Sequence, residues 1–71
     1  MNMIVRDSFI VLIMQERAKE RARNRTGVAA CGNVVVRYYP ACGRFAWFDE
    51  TGPITKELAG RLLKAAWSGR P

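Results

Sequence analysis

The stretch Val28–Phe48, VAACGNVVVRYYPACGRFAWF, decides the fold. Two runs within it, VVVRYY (Val34–Tyr39) and RFAWF (Arg44–Phe48), are rich in the β-branched and aromatic residues that suit a pleated surface. Between them lies Pro40-Ala41-Cys42-Gly43. Proline cannot donate to a central ladder and glycine accepts a positive φ, so this tetrapeptide predicts a hairpin turn. The resulting register pairs Tyr39 with Arg44, Tyr38 with Phe45, Arg37 with Ala46, Val36 with Trp47 and Val35 with Phe48. Side chains alternate between faces. Val34, Val36, Tyr38, Phe45 and Trp47 form the expected core face. Val35, Arg37, Tyr39, Arg44, Ala46 and Phe48 form the other, where arginines mix with aromatics.

The same stretch contains the triplet Ala-Cys-Gly twice, and its Cys31 and Cys42 are the only cysteines of the chain. With Cys31 before the first strand and Cys42 in the turn after it, the rise of an extended chain separates them by ~30 Å. A disulfide needs Cα atoms within about 7 Å. Two reduced thiols in loops are therefore expected. Zinc would need four ligands, and the sequence has no histidine and no CxxC pair. No metal or other cofactor is expected.

Working outward, the segment before the hairpin predicts a helix over about residues 8–25. Asp7 or Ser8 can cap its first turn, and Gly27 can end it as a left-handed C-terminal cap. On a helical wheel Val11, Met14, Ala18 and Ala22 form one stripe. Arg17 and Arg21 flank it on one side, Lys19 and Arg23 on the other, with Glu16 and Glu20 between the flanks on the far face. The first half is different, because Phe9, Ile10, Leu12 and Ile13 point all the way round. Such a helix end needs cover on every side, which makes a homodimer through the Phe9–Met14 region an expectation. The segment TGVAACGN then reads as a loop by composition.

After the hairpin, DETGP predicts another turn. Thr55 is placed to cap a second helix over about residues 56–67, with Ile54 stapled against Ala59. Its apolar stripe is Leu58, Ala59, Leu62, Leu63, Ala66 and Trp67. Lys56, Glu57, Gly60, Arg61 and Lys64 face water, and Ser68-Gly69 ends the helix. The layout is one α+β domain over residues 1–71: helix, β-hairpin, helix. A two-stranded sheet is marginal alone, so helical cover is needed, or a short N-terminal third strand from Met1–Val5.

Seventy-one residues make one domain with a modest core. Twelve Lys and Arg against six Asp and Glu leave a net charge of +6. That excess favours an acidic macromolecular partner, either a protein or a nucleoprotein complex, and leaves direct nucleic-acid binding open. The apolar run Phe9–Met14 is too short for a signal peptide or a membrane span. A soluble, cytoplasmic protein that does not bind membranes is expected, in the host cytoplasm if a phage encodes it.

Catalysis finds little support. There is no histidine for acid–base work and no glycine-rich phosphate loop. Ser8 and Ser68 sit at helix ends, and Asp49-Glu50 sits in a turn, so no catalytic residue is expected. The candidate binding residues are Arg37, Tyr39, Arg44 and Phe48 on the outer hairpin face, with Arg17, Arg21, Arg23 and Arg25 of the basic segment. Aromatic rings beside arginines can stack bases and pair phosphates. The same types also make protein–protein hot spots. The sequence thus points to a small non-enzymatic binding protein that docks on a larger macromolecular complex and regulates or inhibits it. Phage- and mobile-element-type regulators have this character, with host transcription machinery or a nucleic-acid-guided defence complex as plausible targets. A direct nucleic-acid-binding protein is the alternative, and a small structural subunit of an assembly is the second alternative.

Overall fold

The computed structural model describes residues 7–68. Its elements are α1 (Asp7–Arg21), β1 (Gly27–Cys31), β2 (Val34–Tyr39), β3 (Arg44–Asp49), β4 (Gly52–Ile54) and α2 (Lys56–Ser68). The strands form one antiparallel sheet in the order β1-β2-β3-β4. The domain is α+β, as the sequence predicts, and the central hairpin has the predicted register from Val35 opposite Phe48 to Tyr39 opposite Arg44. The third strand foreseen at Met1–Val5 lies outside the described residues, as does the Gly69 stop. Side chains are described from Phe9 onward, so the Asp7 or Ser8 cap lies outside them too.

The sheet has two strands more than the hairpin. TGVAACGN is not a loop. Gly27–Cys31 is β1, paired with β2 from Gly27 opposite Tyr38 to Cys31 opposite Val34. The two-residue connection Gly32-Asn33 has its positive φ (61°) at the first position, on glycine. That is the turn whose twist matches a hairpin and which glycine alone accepts readily. Likewise DETGP is not only a turn: Gly52–Ile54 is β4, with Ile54 opposite Trp47 and Pro53 opposite Phe48. Cys31 therefore ends a strand rather than preceding one. Both cysteines are free thiols.

Helix α1 is shorter than predicted, ending at Arg21 rather than Arg25. The Ala22 amide is shared between the carbonyls of Ala18 (3.0 Å) and Lys19 (3.1 Å), the bifurcation common at helix ends. The chain then doubles back at once. Gly27 is not a left-handed cap, since positive φ occurs only at Gly32, Gly43 and Gly52 among the described residues. Its role is close approach. A Cβ there would lie 2.7 Å from the Ala22 Cβ and would overlap the Ala18 carbonyl oxygen. Strand β1 starts against the last turn of α1 because Gly27, Ala18 and Ala22 leave room for it.

Both helices cover the same side of the sheet. The core consists of Ile10, Val11, Met14 and Ala18 from α1, Ala29, Val34, Val36 and Trp47 from the strands, and Ala59 and Leu63 from α2. Tyr38 and Phe45, half-buried at the margin, hold their rings 4.8 Å apart at 43°. The predicted core face of the hairpin is the face that the helices cover.

Helix α2 begins as the sequence predicts. Thr55 Oγ1 accepts from the Leu58 amide at 3.1 Å, and the Thr55 carbonyl accepts from the Ala59 amide at 2.9 Å. Such a cap is worth about 1 kcal/mol. Two positions on its wheel are corrected: Gly60 is buried rather than facing water, and Leu58 is exposed rather than part of the buried stripe. The stripe that packs is Ala59, Leu62, Leu63 and Trp67, with the small Gly60 beside it.

Candidate binding surface

The outer face of the sheet follows from strand alternation. Residues one step out of phase with the core point away from both helices. The register lines them up in rows across the strands. One row is Ala30, Val35, Phe48 and Pro53, spanning all four strands. The next is Val28, Arg37 and Ala46. The last is Tyr39 beside Arg44. No position in these rows is acidic. One end of the face is apolar and the other carries positive charge.

All four candidates from the hairpin, Arg37, Tyr39, Arg44 and Phe48, therefore share one surface. Arg37 and Arg44 are exposed, while Tyr39 and Phe48 are half-buried. The Arg37 guanidinium carbon sits 4.8 Å from the centre of the Phe48 ring. This diagonal cation–π contact places a flexible cation over an aromatic ring, and at an exposed site it contributes about 0.5–1 kcal/mol. Ring and guanidinium together make a partly apolar contact surface.

The basic segment is divided by the early end of α1. Arg17 stays on the helix, exposed. Arg21 has a structural task, since its Nη1 donates to the Val28 carbonyl at 3.0 Å and ties the helix end to the edge strand. Arg23 and Arg25 lie in the loop between α1 and β1. There they line a shallow cleft of about 480 Å³ with Asn24, Thr26, Tyr39, Pro40 and Ala41. Sequence reasoning placed Arg23 and Arg25 on a helix and Tyr39 on a distant hairpin. The hidden link is β1, because pairing Gly27 with Tyr38 brings the loop beside the β2–β3 turn. The Gly32-Asn33 turn signal carried that information.

Glu16 does little to neutralise this cluster. Its Oε1 meets Lys19 Nζ at 3.6 Å on the exposed side of α1. At the opposite end of the sheet the charge reverses. A cleft of about 220 Å³ there is lined by Cys31, Gly32, Asn33, Val34, Asp49, Glu50, Leu62 and Ala66. The Asp49 carboxylate accepts from the Thr51 hydroxyl and from the Thr51 amide, the latter at 2.8 Å. These bonds, the hydroxyl first, hold its pKa below the usual carboxylate value. They stabilise a turn and supply no general base.

Among the described residues, the start of α1 is covered on one side. Ile10, Val11 and Met14 are buried, whereas Phe9 and Leu12 are each 57% exposed. The sheet edges offer a partner little. Strand β4 has three residues and contains Pro53, and the edge strand β1 has its Val28 carbonyl occupied by Arg21. Short strands and proline are common defences against strand addition. Among the described residues no group of three or more His, Cys, Asp or Glu could hold a metal ion. No described helix is long and apolar enough to cross a membrane.

The molecule is thus a small α+β domain with an open-faced sheet. Comparison with known proteins finds no matching family model, no matching curated protein and no matching solved structure.

Proposed function

We propose that this chain is a small non-enzymatic binding protein that docks on a larger macromolecular complex through the outer face of its sheet and thereby regulates it. The observation that carries this reading is the open face. Four strands present an apolar row, an arginine over a phenylalanine ring, and a second arginine, with both helices on the opposite side. The core beneath the helices makes no use of Arg37, Arg44 or Phe48. Hot spots at protein interfaces favour aromatic residues and arginine in this kind of setting. The partner that fits presents an acidic patch next to an apolar one, which agrees with the +6 charge of the chain.

The test compares wild type with Val35→Ser/Phe48→Glu as baits in a nuclease-treated lysate from the source cell. The expected result is a defined set of proteins retained by wild type and released by the variant, with both baits folded by circular dichroism. Equal retention by both would remove the face from the account. The exposed pair Phe9 and Leu12 supports self-association as a second contact of the same chain. Sedimentation of the isolated protein tests it, and a constant monomer mass across concentration would reject it.

A further inference from the structure

The cleft between the α1–β1 loop and the β2–β3 turn differs from the apolar half of the open face. Its charged lining is Arg23 and Arg25, and no lining residue is acidic. Asn24 and Thr26 add an amide and a hydroxyl, both hydrogen-bond donors. The remaining lining residues are Tyr39, Pro40 and Ala41. Cations and neutral donors from the α1–β1 loop beside an aromatic residue of β2 suit a phosphate joined to a planar group. The volume of about 480 Å³ is that of a site for one small unit rather than for a protein element. Positive charge continues out of the cleft, because Arg44 lies directly opposite Tyr39 and Arg37 lies two residues along the same strand.

We infer that this cleft binds one nucleotide of a single-stranded nucleic acid, with the phosphate against Arg23 and Arg25 and the base on Tyr39. The neighbouring phosphates of the strand pass Arg44 and Arg37. Single-stranded rather than duplex nucleic acid is required, since a base must leave its stack to reach an aromatic ring. The inference rests on the binding reading above and deepens it: the partner is a nucleoprotein complex, whose protein meets Phe48 and whose strand enters the cleft.

Fluorescence anisotropy with a labelled short pyrimidine oligonucleotide, its duplex and a phosphotyrosine peptide tests the cleft without any cellular partner. Wild type is expected to bind the single strand most tightly, with affinity falling as salt rises. Arg23→Glu/Arg25→Glu should weaken that binding at least ~10-fold and make the log–log salt slope shallower by at least about 0.7, from the one phosphate held in the cleft. Tyr39→Leu should weaken it by about 5-fold or more with the slope unchanged, as loss of a base stack does. Arg25→Gln serves as the milder variant should the double change disturb the loop. Equal affinity for the duplex, preference for the phosphotyrosine peptide, indifference to Tyr39→Leu, or no binding at low salt would each overturn the inference. Those results would leave the docking reading to the lysate experiment, which is done after nuclease treatment and depends on Val35 and Phe48.

Discussion

The inner and outer faces of the sheet are built from the same strands, one residue out of phase. Trp47 and Phe48 are adjacent in sequence, yet Trp47 is 5% exposed under the helices whereas Phe48 lies on the open side beneath Arg37. On the inner face each residue answers to packing. Gly27 and Ala29 are small where α1 comes close, and Val36 and Trp47 are large where the two helices leave space. On the outer face packing imposes nothing comparable, and arginines sit among apolar residues without a carboxylate in the rows. The comparison separates residues that the fold needs from residues that call for another explanation.

The largest effect is expected on the inner face where no adjustment is available. Gly27→Val would push its side chain into the Ala18 carbonyl and the Ala22 side chain, backbone included. Native proteins have a stability of about 5–15 kcal/mol, and a chain this small belongs near the lower limit. Gly27→Val should therefore lack a cooperative thermal transition. A transition close to wild type would mean that α1 and β1 do not touch as described.

Next in size is Trp47→Ala, which removes the largest core side chain of the sheet. A loss of about 3–5 kcal/mol is expected in chemical denaturation. A loss below ~1 kcal/mol would erase the distinction between the two faces. Thr55→Ala sharpens the comparison at a helix end, with an expected loss of about 1 kcal/mol from the Leu58 amide left uncapped.

A smaller effect concerns pH. Hydrogen bonds from Thr51 lower the pKa of Asp49 in the folded chain. Its contribution is present above the unfolded carboxylate pKa and is lost as pH falls through the lowered folded value. Stability measured from neutral to strongly acid pH should decline less in Thr51→Ala than in wild type over that acid window. Identical pH profiles for the two would show that the turn bonds do not form. The Asp49 carboxylate is screened by solvent, so the difference will be small.

The central hairpin was legible in the sequence because two independent signals agreed there: alternation of apolar residues and a Pro/Gly turn. The Thr55 cap was legible for the same reason, since a capping residue stood before an apolar helical stripe. Strand β1 was missed because Gly27, Ala29 and Ala30 are small, with little β preference of their own; what places them in the sheet is their fit against Ala18 and Ala22. The Gly32-Asn33 pair was the available clue, outweighed by loop composition. Strand β4 is three residues long and depends wholly on pairing with β3. The helix end at Arg21 was missed because Ala22 to Arg25 are compatible with a helix, while the β1 contact requires the chain to turn. For the candidate surface, alternation alone gathered Arg37, Tyr39, Arg44 and Phe48. Uniting Arg23 and Arg25 with Tyr39 needed the missed strand.

The outer face, on this reading, is not required for folding. The most direct test is the equilibrium unfolding of Arg37→Ser/Phe48→Ser against wild type, in the isolated protein at several concentrations. The expected free-energy difference is about 1–2 kcal/mol, from one exposed cation–π contact and the half-buried Phe48 ring, independent of concentration. A loss of ~3 kcal/mol or more, or one that shrinks as the protein is diluted, would contradict it by showing that this face is buried in the protein's own folded or self-associated state.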